Sequence, residues 1–120
     1  MKVVYVVGPY RAATQEEVSR NIERAREAGQ ALQRAGLCAV VPHLNFGSCE
    51  GLTDQDVLDA CLELVGRCDA LLLLLPGWEA SSGSHLEFMK ADRLRKPTFL
   101  SVEAVKLWRD AEVVRRMEAM

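Results

Sequence analysis

The sequence has no excess of charge of either sign: fifteen Lys and Arg stand against seventeen Asp and Glu, a formal net charge of -2 with the signs interspersed. That argues against a protein that grips a nucleic-acid polymer through a dominant basic field, and favours a small-molecule partner. Long apolar runs are missing too. The longest, Ala70 to Pro76, is far too short to span a bilayer. No charged-then-apolar leader precedes the first predicted strand, so a cytoplasmic protein with no membrane partner is expected. The four cysteines, Cys38, Cys49, Cys61 and Cys68, form no Cys-x-x-Cys pair and read as reduced thiols rather than a zinc or dithiol site. Only two histidines are present, His43 and His85, not at helical ligand spacing, and no metal is expected. The absence of a Gly-x-Gly-x-x-Gly or Gly-x-x-x-x-Gly-Lys loop disfavours a dinucleotide dehydrogenase or a phosphate-loop hydrolase, and no cofactor is expected. No repeat or linker divides the 120 residues, so residues 1–120 are read as one domain with no separate substrate domain.

What is present is a regular alternation. Hydrophobic residues make up 49% of the chain, enough for an ordinary core. Val3 to Val7 reads as a strand stopped by Gly8-Pro9. Thr14 and Glu17 have the capping-box spacing, and Val18, Ile22, Ala25, Gly29 and Leu32 recur at helical intervals until Gly36. Leu37 to Val41 is a second strand. Pro42 to Thr53 carries too many Pro, Gly and polar residues to be regular, and its length marks a functional loop. Thr53 or Asp54 caps a second helix bearing Val57, Cys61, Leu64 and Val65. Ala70 to Leu75 has no polar alternation, as a central parallel strand requires. A third helix is expected over Ser84 to Leu94, a fourth strand over Thr98 to Val102 and a closing helix over Glu103 to Met120. This order specifies a three-layer, Rossmann-like (flavodoxin-like) α/β fold: a parallel sheet of four to five strands, order 2-1-3-4, with helices on both faces. Ligands in such sheets bind above the carboxyl ends of the strands at the switch point, here between the first and third strands.

That crevice collects Gly8, Pro9 and Arg11 after the first strand, His43 after the second, and Trp78, Ser81, Gly83, Ser84 and Glu87 after the third. Small hydroxyl residues and glycine at a helix start turn backbone N–H groups toward an anion and suit a phosphate or a sugar. Glu87 can serve there as nucleophile or general base. Ser84-x-x-Glu87 is equally a capping box, in which Glu87 only satisfies the Ser84 N–H. Trp78 can stack on a base or cover the core, and His43 can donate a hydrogen bond or anchor its loop.

The combination of Val4 to Arg11, Pro42-His43, Cys68-Asp69-Ala70 and Gly77-Trp78-x-x-Ser81-x-Gly83-x-x-x-Glu87 resembles the nucleoside 2-deoxyribosyltransferase-like superfamily. The likeness is strongest to its small, uncharacterised bacterial and phage branch, and more distant to the 2'-deoxynucleoside 5'-monophosphate N-glycosidases. It implies that Glu87 attacks the anomeric carbon, that Tyr5 orients Glu87, and that a free base leaves before water or a second base completes the reaction. It also implies a nucleoside or nucleotide ligand, a 5'-phosphate near Arg11, Ser81, Gly83 and Ser84, and a homo-oligomer. For Tyr5 a core role, and for Arg11 a solvated loop position, are the alternatives. Two positions depart from the pattern. Cys61 stands where the established enzymes carry a helix aspartate that contacts the sugar or base, and Pro9 stands where the monophosphate glycosidases carry serine. Asp59, two residues before Cys61, is turned about 200° around the helix and does not replace the missing acid. Two expectations follow: an N-glycosidase or 2-deoxyribosyltransferase-like enzyme, or a non-catalytic nucleotide-binding module of the same fold. A structural oligomer subunit that pairs through Trp108 and Met117 is a third.

Overall fold

The computed structural model describes residues 1–47 and 49–120. Strand β1 (Val3–Val7) leads into helix α1 (Gln15–Arg34), then β2 (Cys38–Val40), a short α2 (Pro42–Phe46) and α3 (Asp54–Arg67). Strand β3 (Ala70–Leu73) follows, then a 3-10 turn (Trp78–Ala80), α4 (Ser82–Arg93), β4 (Thr98–Phe99) and α5 (Val102–Glu118). The sheet has four strands in the order β2-β1-β3-β4, and every neighbouring pair is parallel. This is the expected topology, with β1 and β3 side by side at its centre.

Alternation along the two central strands divides the interior into two cores. Tyr5 and Val7 on β1 and Leu71 and Leu73 on β3 pack with Cys61 and Val65 of α3 and Ala91 of α4. Val4, Val6 and Leu72 face the other way, onto Ala25 and Leu32 of α1 and Val105 of α5. The sheet is therefore the middle of three layers. Asp69 pins its register, since its N–H donates to the Val3 carbonyl at 2.8 Å and its Oδ2 accepts from the Val3 N–H at 2.8 Å.

Helix ends follow their capping chemistry. Thr14 accepts from Glu17 N–H at 3.1 Å, so the cap on α1 forms through the threonine side chain. Gly36, at φ +83°, carries the turn out of α1, and the Leu37 N–H reaches back to Leu32 O at 3.0 Å. That bond closes a Schellman-type cap and commits the Leu37 N–H, so β2 begins at Cys38 rather than Leu37. Thr53 and Asp56 form a complete capping box on α3. Thr53→Ala should therefore lower stability by about 1 kcal/mol, read from urea denaturation.

Other boundaries also correct the sequence reading, and β3 ends at Leu73 rather than Leu75. The segment after β2 is not wholly irregular: Pro42 occupies the first turn of α2, where a proline's missing N–H and fixed φ suit a helix start. Helix α4 begins at Ser82, capped by Ser81 accepting from the Ser84 N–H at 3.3 Å. Ser84 is thus inside the helix, and the Ser84–Glu87 capping box does not form. β4 is only two residues long, because Ser101 already caps α5 through the Ala104 N–H. Among the described residues no helix is long and apolar enough to cross a membrane.

Candidate functional site

A crevice of about 900 Å³ opens above the carboxyl ends of β1 and β3. Gly8, Pro9, Arg11, His43, Ser81, Gly83, Ser84 and Glu87 all line it. Glu87 sits on the second turn of α4, on the face that packs toward the sheet, and is only 8% exposed. Tyr5 is fully buried on the β1 face that meets α3 and α4, and its hydroxyl donates a hydrogen bond to Glu87 Oε2. The contact joins residues 82 apart in sequence and follows from the parity of β1: odd residues face α4, even residues face α1 and α5.

Burial controls the protons of this pair. Desolvation raises the Glu87 carboxyl to about 7, although the Tyr5 hydrogen bond works to lower it. Burial, followed by the nearby Glu87 charge, pushes the Tyr5 phenol far upward, so Tyr5 remains a donor at every working pH. Cys61 completes the cluster from α3; burial raises its thiol as well. A carboxylate poised near neutrality beside a permanent donor is suited to nucleophilic or general-base work. Tyr5→Phe removes the group that lowers the Glu87 carboxyl, so any activity that needs the anion should lose its rate at neutral pH and recover it at higher pH. A pH–rate profile checks this.

His43 lies at the start of α2, 94% buried, with Nε2 3.1 Å from both the Gly8 and Pro9 carbonyls. Carbonyls only accept, so Nε2 carries the proton, and Nδ1 is left without a partner among the described residues. Desolvation lowers its pKa and keeps the ring neutral. His43 thus ties the loop after β1 to α2. Tyr10 makes a second tie, donating to the Gly47 carbonyl at 2.9 Å. Ser84 Oγ, like His43 Nδ1, is buried without a partner among the described residues, and Ser84 lines the crevice.

Two candidates stand apart from the crevice or are already engaged. Trp78 packs its ring 5.3 Å from Phe88 and 5.4 Å from His85, over the core that contains Glu87's neighbours, and does not line the crevice. Its covering reading, rather than its stacking one, matches that placement. Arg11 reaches the crevice but is ion-paired with Asp54 of α3, both side chains 76% exposed. Sequence reasoning took Asp54 only as a helix cap and missed it at the site, and it missed Asn21, whose side-chain amide donates to the Tyr10 carbonyl at 3.2 Å. The position of Asp54 one residue after the Thr53 cap was the available signal.

A family model described as a domain of unknown function (DUF4406) matches residues 2–99. The chain belongs to that family. The DUF4406 match takes in every crevice residue and ends at β4, before α5 begins. No curated protein matches. Among solved structures the DUF4406 chain is similar to one titled 2-desoxiribosyltransferase from Leishmania mexicana, with TM-score 0.60 and 16% identity over 82% of this chain. The chain spans 62% of that protein's length. At this identity the likeness establishes a shared fold, and so a distant structural relationship.

Proposed function

We propose that this DUF4406 protein cleaves the N-glycosidic bond of a nucleoside or nucleotide, as an N-glycosidase or a 2-deoxyribosyltransferase-like enzyme. The observation that carries the reading is the buried Glu87 carboxylate, held by Tyr5 and lining a crevice at the switch point of the sheet. Glu87 attacks the anomeric carbon and forms a glycosyl ester as the base leaves. Water or a second base then attacks the same carbon and frees the carboxylate. The first turn of α4 offers the Ser82 and Gly83 N–H groups to a 5'-phosphate, with the Ser84 hydroxyl beside them at the crevice; the Ser81 and Ser84 N–H groups are committed to the Trp78 carbonyl and to Ser81 Oγ. The fold shared with a deoxyribosyltransferase supports the sugar as substrate. On this reading residues 1–120 form one domain, and a second copy of the chain closes the crevice.

Cys61 favours a second reading, a nucleotide-binding module of the same fold without turnover, because a thiol stands where a carboxyl would assist the leaving base. One experiment separates the two. The protein is incubated with ribo- and deoxyribonucleosides and their 5'-monophosphates, and free base is measured by chromatography with Glu87→Gln as control. Base release that disappears in the variant supports the enzyme, and release unchanged in it removes Glu87 as nucleophile. Thermal stabilisation by a panel member without release supports the module. For the enzyme, kcat/KM should rise with pH and level off above about 7, because the nucleophile is the ionised carboxylate.

A further inference from the structure

Breaking an N-glycosidic bond has two demands. A nucleophile must reach the sugar carbon, and the electron pair left on the base nitrogen must be neutralised. For an ordinary, uncharged nucleoside the departing base is an anion unless a proton arrives, and an anion is costly in a partly dry crevice. The first demand is met here by Glu87. The second is not met by any side chain described around it.

Three carboxyls line the crevice: Glu17, Asp54 and Glu87. Glu87 is occupied by attack. Asp54 is ion-paired to Arg11, and Glu17 stands in the first turn of α1; neither belongs to the buried cluster around Glu87 and Tyr5. His43 has its one ring N–H committed to the Gly8 and Pro9 carbonyls, and its bare Nδ1 accepts rather than donates. Cys61 and Tyr5 hold their protons more tightly than usual because they are buried. The charge of the lining adds an independent argument. Its three carboxyls face Arg11 as the one Lys or Arg among the described lining residues, a balance that favours a cationic ligand.

Resting on the reading of Glu87 as nucleophile, we propose that the preferred substrates are cationic N-glycosides, pyridinium or N-alkylated purine nucleosides, whose base departs as a neutral molecule. In the step, a Glu87 carboxylate oxygen forms a bond to the anomeric carbon as the carbon–nitrogen bond breaks. The electron pair of the broken bond stays on the ring nitrogen and cancels its positive charge, so no proton is required. Water then attacks the anomeric carbon, the ester bond returns its pair to Glu87, and the proton of the attacking water passes to solvent.

The test compares kcat/KM for base release at pH 6, where 7-methylguanosine keeps its N1 proton and is a cation, from 7-methylguanosine and nicotinamide riboside with that from guanosine, deoxyguanosine and cytidine. Glu87→Gln is the blank for uncatalysed breakdown. The cationic substrates should be favoured by at least about 100-fold, the factor that general-acid assistance typically supplies. A series of purine ribosides with graded base acidity should show a steep dependence on leaving-group pKa. Equal rates for guanosine and 7-methylguanosine, or a flat series, overturn the preference and leave Glu87 as nucleophile intact. No release from any substrate above the blank overturns both.

Discussion

Glu87→Gln should abolish base release, with a loss of at least about 10³-fold in kcat, while leaving the protein folded. The amide is isosteric with the carboxylate and its oxygen still accepts from the Tyr5 hydroxyl, but it cannot attack a sugar carbon. The same variant carries a stability signature. Glu87 titrates at about 7 in the folded chain against 4.5 ordinarily. Between those values the folded state holds a proton that the unfolded state has released. Stability therefore falls as pH rises through that window and remains lowered above it, by about 3 kcal/mol if the whole shift is expressed. In Glu87→Gln this slope should vanish. Urea denaturation at pH 4.5 and pH 8 measures it, and a slope unchanged in the variant would show that Glu87 is not the group titrating. Loss of activity together with a gain in relative stability at pH 8 is the behaviour of a functional carboxylate kept in an unfavourable place.

Gly77→Ala carries the second large effect. Gly77 has φ +126°, a region that side chains rarely adopt, and a Cβ there would lie 2.9 Å from Pro9 Cγ. Backbone strain and the collision together should cost about 2 kcal/mol or more. Because Pro9 lines the crevice, ligand binding should weaken as well. Gly8→Ala is the informative contrast. Its added Cβ meets Leu74 Cδ1 at 2.8 Å, a side-chain end that can turn away, and Leu74 Cβ and Cγ at 3.3 Å, which need yield only slightly, and its φ is not in the positive region. Thermal melts of both variants should place Gly8→Ala well above Gly77→Ala. The reverse order would show that the loop after β3 moves more readily than its contacts suggest.

The strand order and the gathering of Gly8, His43, Ser81 and Glu87 were legible because they follow from chain order alone. A β-α alternation with parallel strands leaves few topologies, and the switch point decides which loops meet. What escaped were choices settled by distant contacts. Ser81-x-x-Ser84 and Ser84-x-x-Glu87 both fit a helix cap by spacing, and the Tyr5 hydroxyl on another element is what engages Glu87. Pro42 read as a breaker because its role depends on whether it falls inside a helix or at its first turn. Trp78 was ambiguous because a three-residue turn has no periodicity to show which way a ring points; Phe88 decides it. The place of Asp54 beside the Thr53 cap was legible, but its pairing with Arg11, 43 residues away, was not.

The two bonds between Asp69 and Val3 make the meeting of Tyr5 and Glu87 a matter of odd and even. They fix where β1 enters the sheet, and from that point each residue's parity assigns it to the core under α1 and α5 or to the one under α3 and α4, where Glu87 sits. Tyr5 is the second residue beyond the clip, on the same side as Glu87. A chain one residue shorter between Val3 and Tyr5 would keep both Tyr5 and Glu87 and deliver the phenol to the far side of the sheet. Length, at this one point, decides as much as composition whether the Tyr5–Glu87 pair forms.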